Sequence, residues 1–419
     1  MITIKIKKTT PPHCHLTNMK TPTLLAVLAL SFLSSSAHAG DWLHYRGPAM
    51  NGTTAEKLPA TLPTEPKQLW KRSVGTGVST VAVSGERVFT MGSVAGSDVI
   101  SCLDAKTGKD VWTYKFALPL DPKNFEGGPR STPTVDGSRV YTLSHSGDVW
   151  CLDAATGKPV WNKHLMQGFG GRRPSWGYAG SPTIEGNLVL LDSGGPGAST
   201  LALDKATGAT VWKSGDDEAG YGSVVAATIA GQRTAVVFKA KGLVGYDVKD
   251  GRELWRSRWK TSYDVNAVTP VIAGDRVLVS SGYGTGATLV EIAGGAAREK
   301  WKSKALRAHF NTPVIWQGHI YGIDGDHGPQ GQLACLDLAS GAEKWKAPVG
   351  GGALICADGK LIVFSEKGEL IVANASPEGF KALARWQALG GHCWVQPVLA
   401  NGRLYCRNNA GEMVCLEMQ

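Results

Sequence analysis

The sequence predicts an all-β chain: an eight-bladed β-propeller of four-stranded antiparallel blades, closed by its own N-terminal strand. Three observations predict it. A short pattern with Asp third, Gly seventh and Trp eleventh recurs in five copies. Eight tryptophans, Trp70, Trp112, Trp161, Trp212, Trp255, Trp301, Trp345 and Trp386, follow one another at intervals of 41 to 51 residues. The 419 residues include 53 Gly and hold few long apolar runs of helical period, as a turn-rich chain does. A period in the forties with four strands per unit is the mark of stacked blades, because one blade cannot bury both of its faces.

The pattern reads CLDAKTGKDVW from Cys102, CLDAATGKPVW from Cys151, ALDKATGATVW from Ala202, GYDVKDGRELW from Gly245 and CLDLASGAEKW from Cys335. Residue types explain it. The Asp carboxylate caps a turn, the Gly tolerates the positive φ of a tight reversal, and the Trp enters the return strand. A Trp per blade suits the wedge between neighbours, where its ring fills the gap and its N–H meets a carbonyl. The copy from Glu291 to Trp301 keeps only the Trp, and the one ending at Trp386 has a stretched turn. A last copy begins at Cys415-Leu416-Glu417 and stops, so Trp70 is expected to complete that blade.

Taken in order, the chain opens with a leader. Met19 to Ala39 has a basic start at Lys20, an apolar core from Thr23 to Leu33 and small residues at Ala37 and Ala39. That is the layout of a secretory signal peptide, so residues 1–39 are read as a removed region with Met19 as the effective start. The apolar core is shorter than the roughly 18–20 residues a spanning helix needs. The residue directly after the cleavage site is Gly40 and not Cys, so no lipid anchor is expected. The exported chain is expected in the periplasm or associated with the cell envelope, without a transmembrane segment.

Charge narrows the partners. The formal net charge of +9 falls to +5 once Lys5, Lys7, Lys8 and Lys20 leave with the leader. No long Lys/Arg run remains, which argues against nucleic acid. Seven cysteines stay in the mature chain: Cys102, Cys151, Cys335, Cys356, Cys393, Cys406 and Cys415. Four of them hold position one of the repeat in different blades, which reads as a small buried hydrophobe rather than a disulfide framework.

Residues 40–64, including DWLHYRGP, are expected to form an irregular lead-in packed by Trp42 and Tyr45. Residues 65–419 are expected to form the single propeller, with Glu65 to Lys71 as the outermost strand of the last blade. Each blade opens on a hairpin such as STPTVDGSRVYTL from Ser131 or TPVIAGDRVLVS from Thr269. The loops from one blade's last strand to the next blade's first then share the face opposite the Asp-Gly turns.

Those loops hold the unusual side chains. They supply Arg130, then Arg173, Trp176 and Tyr178, then Tyr221, then Asp264 and Asn266, then His309 and Asn311, then His392 and Trp394. If the ring closes, they converge on one axial funnel, and aromatics with convergent polar groups at such a mouth make a binding site. The alternative is that they plug the channel and satisfy one another.

The repeat resembles that of the pyrroloquinoline quinone (PQQ) propeller superfamily over the mature chain, and the lead-in DWLHYRGP resembles that superfamily's N-terminal segment. The resemblance implies eight blades. It leaves function open, because the superfamily holds quinoprotein dehydrogenases as well as non-catalytic propellers, including a subunit of the outer-membrane β-barrel assembly machinery. The stretch with WGYAGSP and DDEAGYGS is similar to uncharacterised exported bacterial propellers. The dehydrogenase branch implies two adjacent Cys over the cofactor, and this chain has none. It implies carboxylates and an amide around Ca²⁺, for which Asp264, Asn266 and Asn311, with Asp216, Asp217 and Glu218 further out, form a possible set. It implies an Asp as general base, for which Asp264 is the candidate. Arg130 or Arg173 could grip a quinone carboxylate, with Trp176 or Trp394 stacked under the ring. No CxxCH haem site is present, and no metal site is expected from the residues themselves.

The reading is therefore an exported, non-catalytic propeller, a monomer, that binds a protein or small ligand on its loop face and serves envelope assembly, with no cofactor. The alternative is a PQQ- and Ca-dependent oxidoreductase of alcohols or sugars. A third reading is a sugar binder using Trp176, Tyr178 and Trp394.

Overall fold

Where the repeat places Asp and Gly, the chain turns as those residues demand. Asp104 Oδ1 accepts from the N–H groups of Lys106 and Thr107 at 3.1 and 2.8 Å, and Asp153 and Asp204 repeat the arrangement. Each such turn joins the third strand of a blade to its fourth. The computed structural model describes residues 1–5, 7, 40–123, 125–326 and 328–418. The chain divides into units 1–35 and 36–419, and the blades belong to the second. The segment read as an export signal, Met19 to Ala39, lies outside the described residues.

Eight antiparallel sheets form the eight blades. Blade one runs Ala82–Ser84, Arg87–Val94, Ser97–Asp104 and Asp110–Ala117. Blades two to seven begin at Thr134, Thr183, Val225, Val271, Val314 and Gly352. Blade eight combines Val398–Ala400, Arg403–Arg407 and Glu412–Glu417 with Lys67–Ser73 from the other end of the chain. Trp70 pairs with Cys415 in that seam. Among the described residues, helix is confined to Leu165–Phe169 and a short turn at Ser262–Asp264.

Seven of the eight repeat tryptophans tie their blade to the segment that follows it through the indole N–H. Trp70, Trp112, Trp161, Trp212 and Trp301 donate their indole N–H to the carbonyls of Ala105, Ala154, Lys205, Val248 and Leu338 at 2.8–3.0 Å. Each acceptor is the residue after the Asp in the following blade's turn. Trp345 finds Ser376, and Trp386 finds Pro63 and Thr64, which enter just where the last blade lacks a turn of its own. The Gly of the turn lies under the same ring. A Cβ on Gly157 would come within 2.5 Å of Trp112, and Gly157 has φ +71°. Position one of the repeat sits across the sheet from the Trp, as in Cys102 opposite Trp112 and Cys151 opposite Trp161. A small residue leaves room there, which accounts for the recurring Cys. The seven cysteines among the described residues are all buried and free.

The inner strands carry a second ring of bonds. The N–H of Thr132 donates to Ser181 Oγ, that of Ser181 to Ser223 Oγ, that of Ser223 to Thr269 Oγ1 and that of Thr269 to Thr312 Oγ1, at 2.8–3.0 Å. Small hydroxyl residues at one position of successive blades satisfy backbone donors that face the axis, where no neighbouring strand can.

The lead-in crosses the ring on the Asp-Gly face. Trp42 bridges to Val83 of blade one, Leu43 accepts from Val135 of blade two, and Thr53–Thr54 pair with Cys356 and Ala357 of blade seven. Between these anchors Arg46 is buried and donates to the carbonyl of Asn51 at 2.9 Å and to Gln396 Oε1 at 3.3 Å. Its remaining acceptors, the carbonyls of Pro313 and Leu354, belong to blades six and seven. The segment thus spans the axial channel.

Candidate functional site

An axial cavity of about 350 Å³ stands over this strap. Tyr45 and Arg46 contribute from the lead-in, and the hydroxyls of Thr80, Ser181, Ser223, Thr269 and Thr312 line its depth. Its mouth is aromatic. Trp176, Tyr221, Tyr283, Phe310 and Trp394 reach it from the loops of five different blades or junctions, and Phe125 closes the remaining side. Several of these rings touch in sequence: Tyr283 to His309 at 4.8 Å, His309 to Phe310 at 5.2 Å, Phe310 to Trp394 at 5.3 Å and Trp394 to Phe125 at 6.2 Å between centroids. Such contacts prefer tilted geometry and stiffen a wall without polar bonds.

The electrostatics are one-sided. Among the described residues that line the cavity, Arg46, Lys123 and Arg130 are cationic and none is acidic. Arg46 is caged by the carbonyls named above, and burial pulls its pKa down to about 10. Arg130 lies with its guanidinium 4.7 Å above the Phe125 ring. Its Nη1 and Nη2 are buried and find no hydrogen-bond partner among the described residues. Burial first, then the neighbouring Arg173, lower its pKa to about 10. The carboxylates near the mouth are committed elsewhere. Asp121 pairs with Arg173, Glu366 accepts from Trp394 Nε1 at 2.7 Å, and Glu126 accepts from Asn409 at 3.0 Å.

The structure brings Arg130, Trp176, Tyr221, His309, Asn311 and Trp394 together in the lining and leaves other expected residues outside it. Arg173 stands behind Arg130, held by Asp121 and the carbonyl of His145. Tyr178 turns into the core between blades two and three and donates to the carbonyl of Ser193 at 2.9 Å. Asn266 is fully buried, donates to the carbonyls of Lys239 and Ala240 and accepts from Ser281, so its amide is consumed in tying the loop down. His392 stacks parallel on Trp394 at 6.1 Å and meets Glu126 on the exposed rim. Asp264 sits at the edge of the face, paired with Lys241 at 3.0 Å. Asp217 is held by Arg256, and Asp216 accepts from the N–H of Gly197.

Sequence reasoning missed Tyr45, Arg46, Phe125, Tyr283 and Phe310 as lining groups. Tyr283 had a findable signal: its Gly-rich turn joins strands two and three of blade five, and those turns share the mouth face. Arg46 had none, since the lead-in carries no repeat against which to register it.

Comparisons with known proteins agree with this architecture. A family described as outer membrane protein assembly factor BamB matches residues 58–123 and 95–347. No curated protein matches the chain. Among solved structures, BamB from Moraxella catarrhalis is 17% identical, aligns over 84% of this chain and 99% of its own, and has a TM-score of 0.62. Quinohemoprotein alcohol dehydrogenase from Comamonas testosteroni is 13% identical over 92% of this chain and 81% of its own, with a TM-score of 0.70. The computationally designed Ika8 protein is 12% identical over 85% of this chain and 100% of its own, with a TM-score of 0.61. At these identities the likeness is one of fold. Among the described residues no helix is long and apolar enough to cross a membrane.

Proposed function

This chain belongs to the family described as the outer membrane protein assembly factor BamB, and from that premise we propose that it is an exported, non-catalytic binding propeller of the cell envelope whose axial funnel receives its ligand or partner. One observation carries the reading: a cavity at the ring axis walled by aromatic and cationic side chains, with no carboxylate among the described lining residues. Stacked rings around a concave, small-molecule-sized space favour capture. A hard cation wants oxygen ligands, carboxylates above all, and the nearby carboxylates already serve Arg173, Trp394 and Asn409.

The family likeness also supports a second reading, a PQQ-dependent oxidoreductase. The residues do not fit the calcium half of that cofactor. Asp264, the candidate base, is engaged by Lys241 outside the lining. Among the described residues no group of three or more His, Cys, Asp or Glu side chains is arranged to hold a metal.

A photo-crosslinking amino acid placed at Trp176 and, as a control, at Lys106 on the Asp-Gly face tests the binding reading. Adducts formed in whole cells from the first position and not the second are expected. Equal labelling would remove the funnel from its role. Saturable dye-linked oxidation of an alcohol or sugar by the protein loaded with PQQ and Ca²⁺ would overturn the non-catalytic reading.

A further inference from the structure

We propose that the rim of the mouth face over blades four and five docks on an anionic lipid surface. The proposal goes beyond the funnel reading and does not rest on it. Its first support is a pair of tyrosines. Tyr263 lies in the connection from the outer strand of blade four, Glu253–Arg258, to the first strand of blade five. Tyr283 lies in the turn between the second and third strands of blade five. Their rings meet edge to face at 5.5 Å between centroids. Both residues hold a left-handed backbone, with φ of 62° and 52°, and Asp264 beside them has 56°. A bulky residue takes that conformation at a cost. Here the cost secures little burial, since Tyr263 is 82% exposed and Tyr283 39%. The N–H of Tyr283 donates to Asp326 Oδ1 at 2.7 Å, which fixes the turn that holds the ring out. Tyrosine has an apolar ring and a polar tip, and such side chains settle at the boundary between headgroups and hydrocarbon.

The second support is charge. The outer strand of blade four runs on through Arg258 to Lys260, and that of blade five, Ala296–Ser303, through Lys302 to Lys304. All four side chains are exposed at the mouth end of their strands. The two strands lie against each other, and Lys302 Nζ stands 4.5 Å above the ring of Trp259. Among the described residues, Arg258, Lys260 and Lys304 form no ion pair, and the carboxylates of this sector are engaged by other cations. Lys241 holds Asp264, Arg256 holds Asp217 and Glu253, and Lys300 holds Glu291. Glu299 lies toward the opposite face, away from the tyrosines. Point charges on flexible stems, spread over two strand ends, suit a field of headgroup phosphates better than a single ligand. Projecting rings beside them fit a partner with an apolar layer under its negative charge, which a bilayer has and an acidic polypeptide lacks.

Co-sedimentation of the mature protein with vesicles tests the proposal. Binding to mixed phosphatidylglycerol and phosphatidylcholine vesicles is expected at low salt, with loss at about 0.5 M NaCl and none to phosphatidylcholine alone. Lys260→Gln/Lys304→Gln should weaken it roughly thirtyfold, at about fivefold per charge. Lys109→Gln/Lys158→Gln on the Asp-Gly face makes an equal change of net charge and should leave binding nearly unchanged. Tyr263→Gly should weaken binding several-fold without lowering the melting temperature, because it relieves the left-handed backbone. A tyrosine kept for packing alone would lower it. An environment-sensitive dye on Tyr263→Cys reports insertion, since the seven cysteines among the described residues are buried. Its emission should shift to the blue with phosphatidylglycerol vesicles. Equal losses from the two lysine pairs, binding indifferent to phosphatidylglycerol, or an unshifted dye would overturn the lipid surface. Poly-L-glutamate bound more tightly than the vesicles, with the dye unshifted, would assign the patch to an acidic polypeptide and overturn it equally. Crosslinks from Trp176 report on the funnel alone, so failure here leaves that reading standing.

Discussion

Lys239 Nζ in blade four donates to Asp192 Oδ1 in blade three at 2.6 Å, and both side chains are shut away from water. The remaining bonds are also made: Lys239 donates to the carbonyl of Ser199 at 2.9 Å, and Asp192 Oδ2 accepts from the N–H of Gly220 at 3.0 Å. Burial raises the Asp192 pKa and lowers that of Lys239, with each held back by the other. Lys239→Met strands a carboxylate in the interior and should cost about 3–5 kcal/mol. Urea unfolding of Lys239→Met and of Lys239→Met/Asp192→Leu checks it: the double variant should recover most of the loss.

Two glycines separate the cost of a positive φ from the cost of a crowded ring. Gly157 has φ +71° under Trp112, whereas Gly186 has φ +57° with nothing within 4 Å of a added Cβ. Gly186→Ala should lose only the backbone term, about 1 kcal/mol. Gly157→Ala should lose clearly more, because the indole must shift from the position in which it donates to Ala154. Equal losses in thermal melts would mean that the ring gives way freely.

Arg407 ties blade eight to blade one across the closing seam. Arg407 in blade eight donates from Nη1 to the carbonyls of Ser79 and Met91 at 2.8 and 2.7 Å and from Nη2 to that of Gly75 at 2.7 Å. Arg407→Met leaves those carbonyls without donors across the seam and should destabilise by several kcal/mol, at roughly 1–3 kcal/mol for each unsatisfied group. Thermal melts of Arg407→Met and Arg407→Lys check it: the lysine variant, which keeps a donor, should recover part of the loss.

Asp98 makes the fold sensitive to pH. Its carboxyl oxygens are buried without hydrogen-bond partners among the described residues, and burial, with Asp148 nearby, raises its pKa from 3.8 to about 7 against the pull of Arg130. A carboxyl that holds its proton more tightly when folded loses stability as pH rises between those values. His145 lies 4.0 Å away and behaves oppositely: burial, Arg130 and Arg173 lower its pKa from 6.5 to about 4, so its contribution grows as pH rises through that range. The two slopes oppose each other between about pH 4 and 6.5. Asp98→Asn should therefore raise stability by up to about 4 kcal/mol above pH 7 and by much less near pH 5. Denaturation midpoints at pH 5 and 8 measure it. A gain independent of pH would show that Asp98 does not titrate in this way.

The repeat made the ring legible because its residues act locally. Asp153 and Gly157 shape their own turn, and Trp112 needs only the next turn's carbonyl, so spacing alone encodes the contact. The stop after Cys415-Leu416-Glu417 likewise pointed to Trp70. The funnel was less legible because a loop aromatic has two directions available. Trp176 and Trp394 face the mouth, whereas Tyr178, two residues from Trp176, faces the core, and nothing in the local pattern distinguishes them. Asn266 was drawn inward by the orphan carbonyls of Lys239 and Ala240, a demand visible only once blade four has folded. Arg46 reaches three distant blades from a segment with no internal periodicity.

The shared eighth blade sets the order of assembly. Lys67 and Glu417, which pair at 3.1 Å, are 350 residues apart in sequence. During synthesis, seven blades and a lone waiting strand exist before the partner of that strand has been made. Until residues 412–417 emerge, the growing arc has two raw sheet edges, the kind of surface that invites pairing with other chains. Closure is then the most non-local step available to the molecule, and contacts of such separation form slowly. A chain stopped a few residues short would keep nearly all its repeats and still be an open arc.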